Sequence, residues 1–138
     1  MQFKNLRVNH IASPLGYRQA KPVFSYVAES TGKKQVSARI RVALDSEMKT
    51  ILFDSGDTAL SSLAAEAELA LSPRTRYFWQ VSAEADDGDC GESEIAWFET
   101  GKMDEPWEGK WITAPFVRHP MFRRGIRAKF SKPGFSNM

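Results

Sequence analysis

The densest group of side chains that could do chemistry is a run of carboxylates between residues 84 and 94. It consists of Glu84, Asp86, Asp87, Asp89, Glu92 and Glu94. Carboxylates at alternate positions of a loop suit a hard cation such as Ca²⁺. The run lacks the EF-hand pattern, however, and its central residues 86–91 form a turn-like sequence at a hairpin tip. We therefore predict a solvated loop and no metal site.

Candidates for a nucleophile or a base are few. Cys90 is the single cysteine, which excludes an intramolecular disulfide and a zinc site of several thiolates. Carboxylates are among its local neighbours, and they oppose the thiolate form that a nucleophile needs. His10 and His119 are the two histidines, and neither has metal-ligand spacing or lies near a nucleophile motif. We predict surface or turn positions for both, no catalytic residue and no cofactor.

Strands must position these side chains, because the apolar pattern repeats every two residues. The sets predicted to face inward are Val36, Ala38, Ile40, Val42 and Leu44; Tyr77, Trp79, Val81, Ala83 and Ala85; Phe24, Tyr26 and Ala28; and Ala96, Phe98 and Thr100. Turn residues at 13–16, 30–33, 54–57 and 86–91 separate the strands. This spacing is typical of a β-sandwich.

Residues 60–71 allow two interpretations. Their strong helix formers favour a helix, whereas Leu63, Ala65, Ala67 and Leu69 alternate as on one face of a strand. A lone helix would leave the sandwich one strand short, so we favour the strand.

The most informative run is residues 71–83, LSPRTRYFWQVSA. It resembles the Leu-x-Pro-x-Thr-x-Tyr-x-x-x-Val-x-Ala pattern of fibronectin type III domains. The physical basis of that pattern is a tyrosine corner, in which a Tyr hydroxyl bonds back to the backbone and fixes the crossover between two sheets. Tyr77 is the predicted corner residue, Pro73 stiffens the crossover, and Leu71 and Trp79 are predicted to pack in the core. The fold class is therefore an all-β, fibronectin type III or immunoglobulin-like antiparallel β-sandwich of about seven strands.

A second, narrower resemblance covers nearly the whole chain. Six segments, in order, are similar to the N-terminal domain of bacterial α-L-rhamnosidases: residues 9–17 (NHIASPLGY), 22–26 (PVFSY), 35–43 (QVSARIRVA), 53–56 (FDSG), 97–101 (WFETG) and 107–115 (WEGKWITAP). Tyr26 and Phe53 stand where that family has Trp, and both can fill the same core role.

The resemblance implies a domain order. We expect a fibronectin type III-like sandwich at residues 1–101, a Trp-containing linker at 102–115, and the start of a truncated second β-sandwich module at 116–138. Trp107 and Trp111 would lie at a domain interface. In the family a catalytic (α/α)6 barrel follows several hundred residues later, which implies that this chain is an N-terminal piece without the barrel.

The function implied by the resemblance is that of a non-catalytic accessory module. The family hydrolyses terminal α-L-rhamnosides with inversion, which requires two carboxyl groups flanking the sugar. The family's pair lies in the barrel, so no residue here inherits that role and this chain is not expected to be an enzyme. Its expected partners are the remaining domains of the parent glycoside hydrolase.

Two alternatives come from other function classes. The sandwich could bind carbohydrate weakly, with Trp79, Trp97, Trp107 or Trp111 stacking on sugar rings, although Trp79 alternates with core residues. The basic C-terminal segment could bind a polyanion. Seven of the 19 basic residues and none of the 17 acidic ones lie in residues 110–138, which leaves 12 basic and 17 acidic residues before them.

The simpler interpretation of that basic segment is an orphaned strand of the next domain, and nucleic acid is not an expected partner. An unpaired strand at residues 116–130 could also join copies of the chain. The sequence has no apolar stretch long enough to cross a membrane and no secretory signal. A cytoplasmic location is expected if Met1 is the native start.

Overall fold

The structure, a computed structural model, describes residues 1–112. The predicted second module at 116–138, the strand at 116–130 and His119 lie outside the described residues. Nine strands are present in the described part: β1 (Gln2–Val8), β2 (Leu15–Tyr17), β3 (Val23–Glu29), β4 (Gln35–Ala43), β5 (Ile51–Asp54), β6 (Ala65–Glu66), β7 (Arg76–Ala85), β8 (Cys90–Glu92) and β9 (Ala96–Thr100).

The strands form two sheets. The smaller sheet has the order β1-β3-β6, and the larger has the order β2-β9-β7-β4-β5, with β8 also pairing with β7. All pairs are antiparallel except β2 with β9, which run parallel at one edge. This confirms the all-β sandwich; three of the nine strands, β2, β6 and β8, are only two or three residues long. No helix in residues 1–112 is long and apolar enough to span a membrane.

The core lies between the sheets and is built on aromatic rings. Trp79, Tyr77, Phe24 and Phe98 are all at most 2% exposed. The Phe24 and Trp79 ring centroids are 4.7 Å apart, and Tyr77 stacks on Phe98 at 5.3 Å. Because β7 alternates without interruption, its five predicted inward residues are all buried, as are Phe98 and Thr100 of β9.

The predicted inward set of β4 is wrong at both ends. Ala38, Ile40 and Val42 are buried, but Val36 is 55% and Leu44 44% exposed. The register of β4 against β7 shifts between Gln35 and Ser37. A bulge leaves its extra residue unpaired and breaks the alternation, and Leu44 lies one residue beyond β4.

The interpretation of residues 60–71 as a strand is correct in kind, but the strand is short. Only Ala65–Glu66 pairs with β3, and Ala65 and Ala67 face the core. Leu63 was placed on the same face and is 76% exposed, because it lies before the two paired residues.

The compact unit that contains both sheets is Met1–Glu105, and Pro106 begins a second unit. The domain limits predicted at 101 and 115 remain predictions.

Candidate domain-docking face

The tyrosine corner fixes the start of β7 to the chain that precedes it. The Tyr77 hydroxyl accepts a hydrogen bond of 2.7 Å from Ser72 N. Thr100 closes the same corner, because its hydroxyl donates to Ser72 O at 2.6 Å and accepts from Thr75 N at 3.0 Å. Leu71 packs against the core from a partly buried position. Pro73 carries the carbonyl that accepts from the Thr75 hydroxyl.

The four tryptophans occupy three different environments. Trp79 is 1% exposed in the core, so no ligand reaches it. Trp107 and Trp111 are 85% and 102% exposed and, with Gly109 and Lys110, line a cleft of about 270 Å³. Trp97 is half-buried on the outer surface of the larger sheet.

An apolar row crosses four strands on the outer face of the larger sheet, and its β4 member, Ala43, is fully buried. Ile51 pairs with Ala43, Ala43 with Phe78, and Phe78 with Trp97. Residues paired across neighbouring strands share a face of the sheet. Leu15, which pairs with Glu99 next to this row, is 58% exposed. We call Leu15, Ile51, Phe78 and Trp97 the Trp97 face.

A cation holds the Trp97 ring in place. The Arg76 guanidinium carbon lies 4.3 Å from the centroid of the ring, the geometry of a cation–π contact. Arg76 is itself bound by Glu99, with 3.0 Å from Nη2 to Oε2. A sugar cannot stack on the ring face that Arg76 covers.

The other charges beside the Trp97 face are paired within the sheet. Arg41 donates to Gln80 Oε1 at 2.9 Å and to Glu92 Oε1 at 2.8 Å. Arg39 binds Asp54 with two hydrogen bonds of 2.8 and 2.6 Å. The side-chain hydrogen bonds from Arg39 lower the pKa of Asp54 to about 2.

Farther along the same outer surface lies a polar groove of about 440 Å³. Its lining residues are Ser37, Asp57, Ser82, Ala83, Glu84, Cys90, Gly91 and Glu92. Cys90 is exposed and unpaired with another cysteine. In residues 1–112, no group of three or more His, Cys, Asp or Glu side chains could hold a metal ion.

The acidic loop is exposed at Asp86 and Asp87, in line with the predicted solvated loop, and its carboxylates also accept hydrogen bonds from a second loop. Asp87 accepts from the Thr31 hydroxyl at 2.5 Å and Asp89 from the Ser30 hydroxyl at 2.7 Å. Asp86 accepts from Lys33 N at 2.9 Å. The hydrogen bond from Thr31 lowers the pKa of Asp87. These carboxylates therefore join two loops, a role that sequence spacing alone does not reveal.

The outer surface of the smaller sheet is polar by comparison. Lys4 pairs with Val27 in the register of β1 and β3 and makes a 2.7 Å ion pair with Glu29. Val27 is 45% exposed, the exposed large apolar residue of these two strands. His10 follows β1 in an exposed turn with φ of 68°.

The chain matches known proteins over the sandwich. The family model described as Rha78A-like, N-terminal immunoglobulin domain matches residues 3–104. An α-L-rhamnosidase of Streptomyces avermitilis is 37% identical over a match of 116 residues, and the match covers 78% of this chain and 11% of that protein. These matches confirm the resemblance to the N-terminal domain of α-L-rhamnosidases.

Solved structures agree. The S. avermitilis α-L-rhamnosidase complexed with L-rhamnose gives a TM-score of 0.74 at 32% identity, covering 83% of this chain and 12% of that one. The α-L-rhamnosidase of Dictyoglumus thermophilum gives a TM-score of 0.74 at 28% identity, and the match covers 82% of this chain and 14% of that one. A human fibronectin type III domain gives 0.51 at 21% identity, covering 79% and 92%, and shows the shared fold. This chain thus spans about one-eighth of the length of the rhamnosidases.

Proposed function

This chain belongs to the family of Rha78A-like N-terminal immunoglobulin domains, and on that premise we propose that it is a non-catalytic accessory module of a longer α-L-rhamnosidase. Its work there is structural: it packs against the other domains and holds them in place. The longer protein hydrolyses terminal α-L-rhamnosides with catalytic groups that lie outside this chain.

The coincidence of two boundaries carries the proposal. The family match covers residues 3–104, and the compact unit with both sheets runs Met1–Glu105. A unit with its own core and few contacts across its boundary is the definition of a domain. The matched rhamnosidase is about nine times longer than the matched part, so the sandwich accounts for a minor part of such a protein.

A module replacement tests the structural role. The N-terminal module of the S. avermitilis α-L-rhamnosidase is replaced by this 138-residue chain, and the thermal midpoint and the hydrolysis of a chromogenic rhamnoside are measured. We expect the chimera to keep both, while the human fibronectin type III domain at the same place, with the same fold and other surfaces, lowers them. Equal performance of the two replacements would contradict the proposal.

The free chain tests whether the module is non-catalytic. We expect no release of chromophore from the rhamnoside by the purified chain, with the S. avermitilis enzyme as positive control. Turnover that persists through repeated purification would contradict the proposal that the module is non-catalytic.

Carbohydrate binding is the second candidate function, and one observation favours it. Trp107 and Trp111 are almost fully exposed and line a cleft with Lys110, and aromatic rings beside a polar group suit a sugar. Titration calorimetry with L-rhamnose measures this carbohydrate binding, with Trp111→Ala as the matched variant. Absence of heat at millimolar ligand would rule it out.

A further inference from the structure

We propose that the Trp97 face docks onto another domain of the same longer polypeptide, on a surface whose centre is apolar and uncharged. This inference rests on the proposed function and deepens it, because it assigns the contact to one face of the sandwich and states the chemistry of the partner.

The first argument is the position of the apolar row. Ile51, Phe78 and Trp97 lie in one register across the larger sheet, and Leu15 continues the surface onto the edge strand β2. Ile51 and Leu15 are 39% and 58% exposed. Ala43, between Ile51 and Phe78 in this row, is buried, and apolar side chains grouped on one face mark an interaction site more often than scattered residues do.

The second argument is the state of the surrounding charges. Arg76 is paired with Glu99, Arg41 with Glu92, and Arg39 with Asp54. Each charge already has its counter-ion on this face, so a partner need not supply one. A partner that placed an extra charge over the row would bury it unpaired, which is costly. The arrangement is an apolar centre with a polar rim, as in protein interfaces.

The third argument is that Trp97 is already ordered. Its ring is held by Arg76 at 4.3 Å, and its neighbour Phe78 is half-buried in β7. Side chains that are fixed before binding lose little conformational entropy on binding. The row is therefore prepared for contact with a rigid surface.

The fourth argument selects the occupant. Stable complexes between separate proteins bury about 1,200–2,000 Å², more than four half-exposed side chains provide. Contacts between domains of one chain are smaller, from about 600 Å², because the covalent link supplies a high effective concentration. The rhamnosidases that match this chain hold most of their length outside the matched part, 86–89% of it by the coverage of 11–14%.

Oxidation of Trp97 tests the proposal. In the S. avermitilis chimera carrying this chain, hydroxyl-radical labelling with mass spectrometry compares the Trp97 indole with that of the free 138-residue chain. We expect oxidation in the chimera to be slower by about fivefold or more, the ratio that docking worth about 1 kcal/mol gives. Trp79, buried in both, is the internal reference.

Two matched variants separate docking from folding. Leu15→Asp places a charge on the Trp97 face and should restore the oxidation rate of the free chain. Val27→Asp places the same charge on the outer surface of the smaller sheet, at similar exposure, and should leave the protection intact. Thermal midpoints of both free chains show that each variant folds.

The accessory role and the docking face are contradicted by different outcomes. A wild-type chimera that loses its activity and its thermal midpoint contradicts the proposed accessory role itself. A stable chimera in which Trp97 is oxidised at the free-chain rate, or in which Leu15→Asp and Val27→Asp behave alike, contradicts the docking face alone. Sedimentation that shows a dimer of the free chain, broken by Leu15→Asp, assigns the face to a second copy and overturns the proposal.

Discussion

The two faces of the β7–β9 pair are made from neighbouring residues and differ in every physical respect. On the inner face, Trp79 and Tyr77 are at most 2% exposed and packed on Phe24 and Phe98. On the outer face, Trp97 is half-buried and held by a single cation, Arg76. The same residue type therefore serves stability on one side and remains available for contact on the other.

The difference shows that aromatic content alone does not locate a binding site. A strand alternates its side chains between two faces, so the position of each Trp relative to the core decides its role. A buried ring contributes through the area it removes from water. A half-buried ring on an outer face removes less area from water, so it contributes less to folding and leaves its exposed edge for a partner.

Replacement of the two tryptophans gives the largest expected contrast. Trp79→Ala should lower the free energy of unfolding by about 3–5 kcal/mol, since it removes a buried ring and leaves a cavity. Trp97→Ala should cost less, about 1–2 kcal/mol, because the ring is only partly out of water and adds a cation–π contact with Arg76. Urea unfolding of both variants measures this. Similar losses for the two would show that the outer ring also belongs to the core.

Tight packing around Gly32, next to the last inward residue of β7, Ala85, predicts the next largest loss of stability. A Cβ at Gly32 would lie 2.6 Å from Ala85 Cβ and 2.7 Å from carboxylate oxygens of Asp86 and Asp87. Gly32→Ala should therefore force a shift of the loop and destabilise the fold by about 1–3 kcal/mol.

Gly109→Ala is the control for Gly32→Ala, because nothing lies within 4 Å of a Cβ at that position. Thermal unfolding followed by circular dichroism compares the two variants. An unchanged midpoint for Gly32→Ala would mean that the loop yields without cost.

The tyrosine corner predicts a smaller loss on the inner face. Tyr77→Phe keeps the ring and removes the hydroxyl that accepts from Ser72 N at 2.7 Å. A backbone donor left without a partner costs about 1–3 kcal/mol when buried and less when water replaces the hydroxyl. The Ser72 amide should also exchange its hydrogen faster in Tyr77→Phe, which hydrogen exchange detects. A loss of stability without that local change would assign the effect to packing.

How far the sequence predicts the molecule depends on which interaction sets each feature. The inner face of β7 followed from alternation, and the corner at Tyr77 followed from the resemblance of residues 71–83 to the fibronectin type III pattern, because both are properties of a short stretch of sequence. Val36 was misplaced because a bulge depends on the partner strand. The Trp97 face was missed because it is a register across four strands, which no local pattern contains.

The acidic loop shows the same limit. Spacing showed carboxylates on a hairpin tip, but their partners at Ser30 and Thr31 lie 59 and 56 residues away. Long-range contacts of this kind need the fold before they can be assigned.

On the outer face, we expect the cation–π contact of Arg76 with Trp97 to contribute modestly to the free energy of unfolding. Arg76→Met keeps much of the apolar stem and removes the charge that contacts both the ring and Glu99. We expect a loss of about 0.5–1 kcal/mol and a change in the near-ultraviolet signal of Trp97. Lys4→Met, which breaks the Lys4–Glu29 pair of the smaller sheet, is the control without an aromatic partner. Equal losses would show that the ion pair, and not the ring, is what Arg76 stabilises.

The smallest expected change in the free energy of unfolding is the loss on acidification of the ion pair between Asp54 and Arg39, which also lies on the outer face. Arg39 lowers the pKa of Asp54 to about 2, below the value of about 4 for an unfolded Asp. The folded state therefore prefers the ionised carboxylate, and its contribution is complete above pH ~4 and is lost as the pH falls toward ~2. Because the pair is partly exposed, we expect less than ~1 kcal/mol. The difference in unfolding free energy between wild type and Asp54→Asn, measured from pH 6 to pH 2, should shrink over that window, and it should shrink less in the Arg39→Gln background, where Gly56 N and Arg41 still lower the pKa of Asp54. A difference that stays constant with pH would show that the ionisation of Asp54 does not contribute to stability.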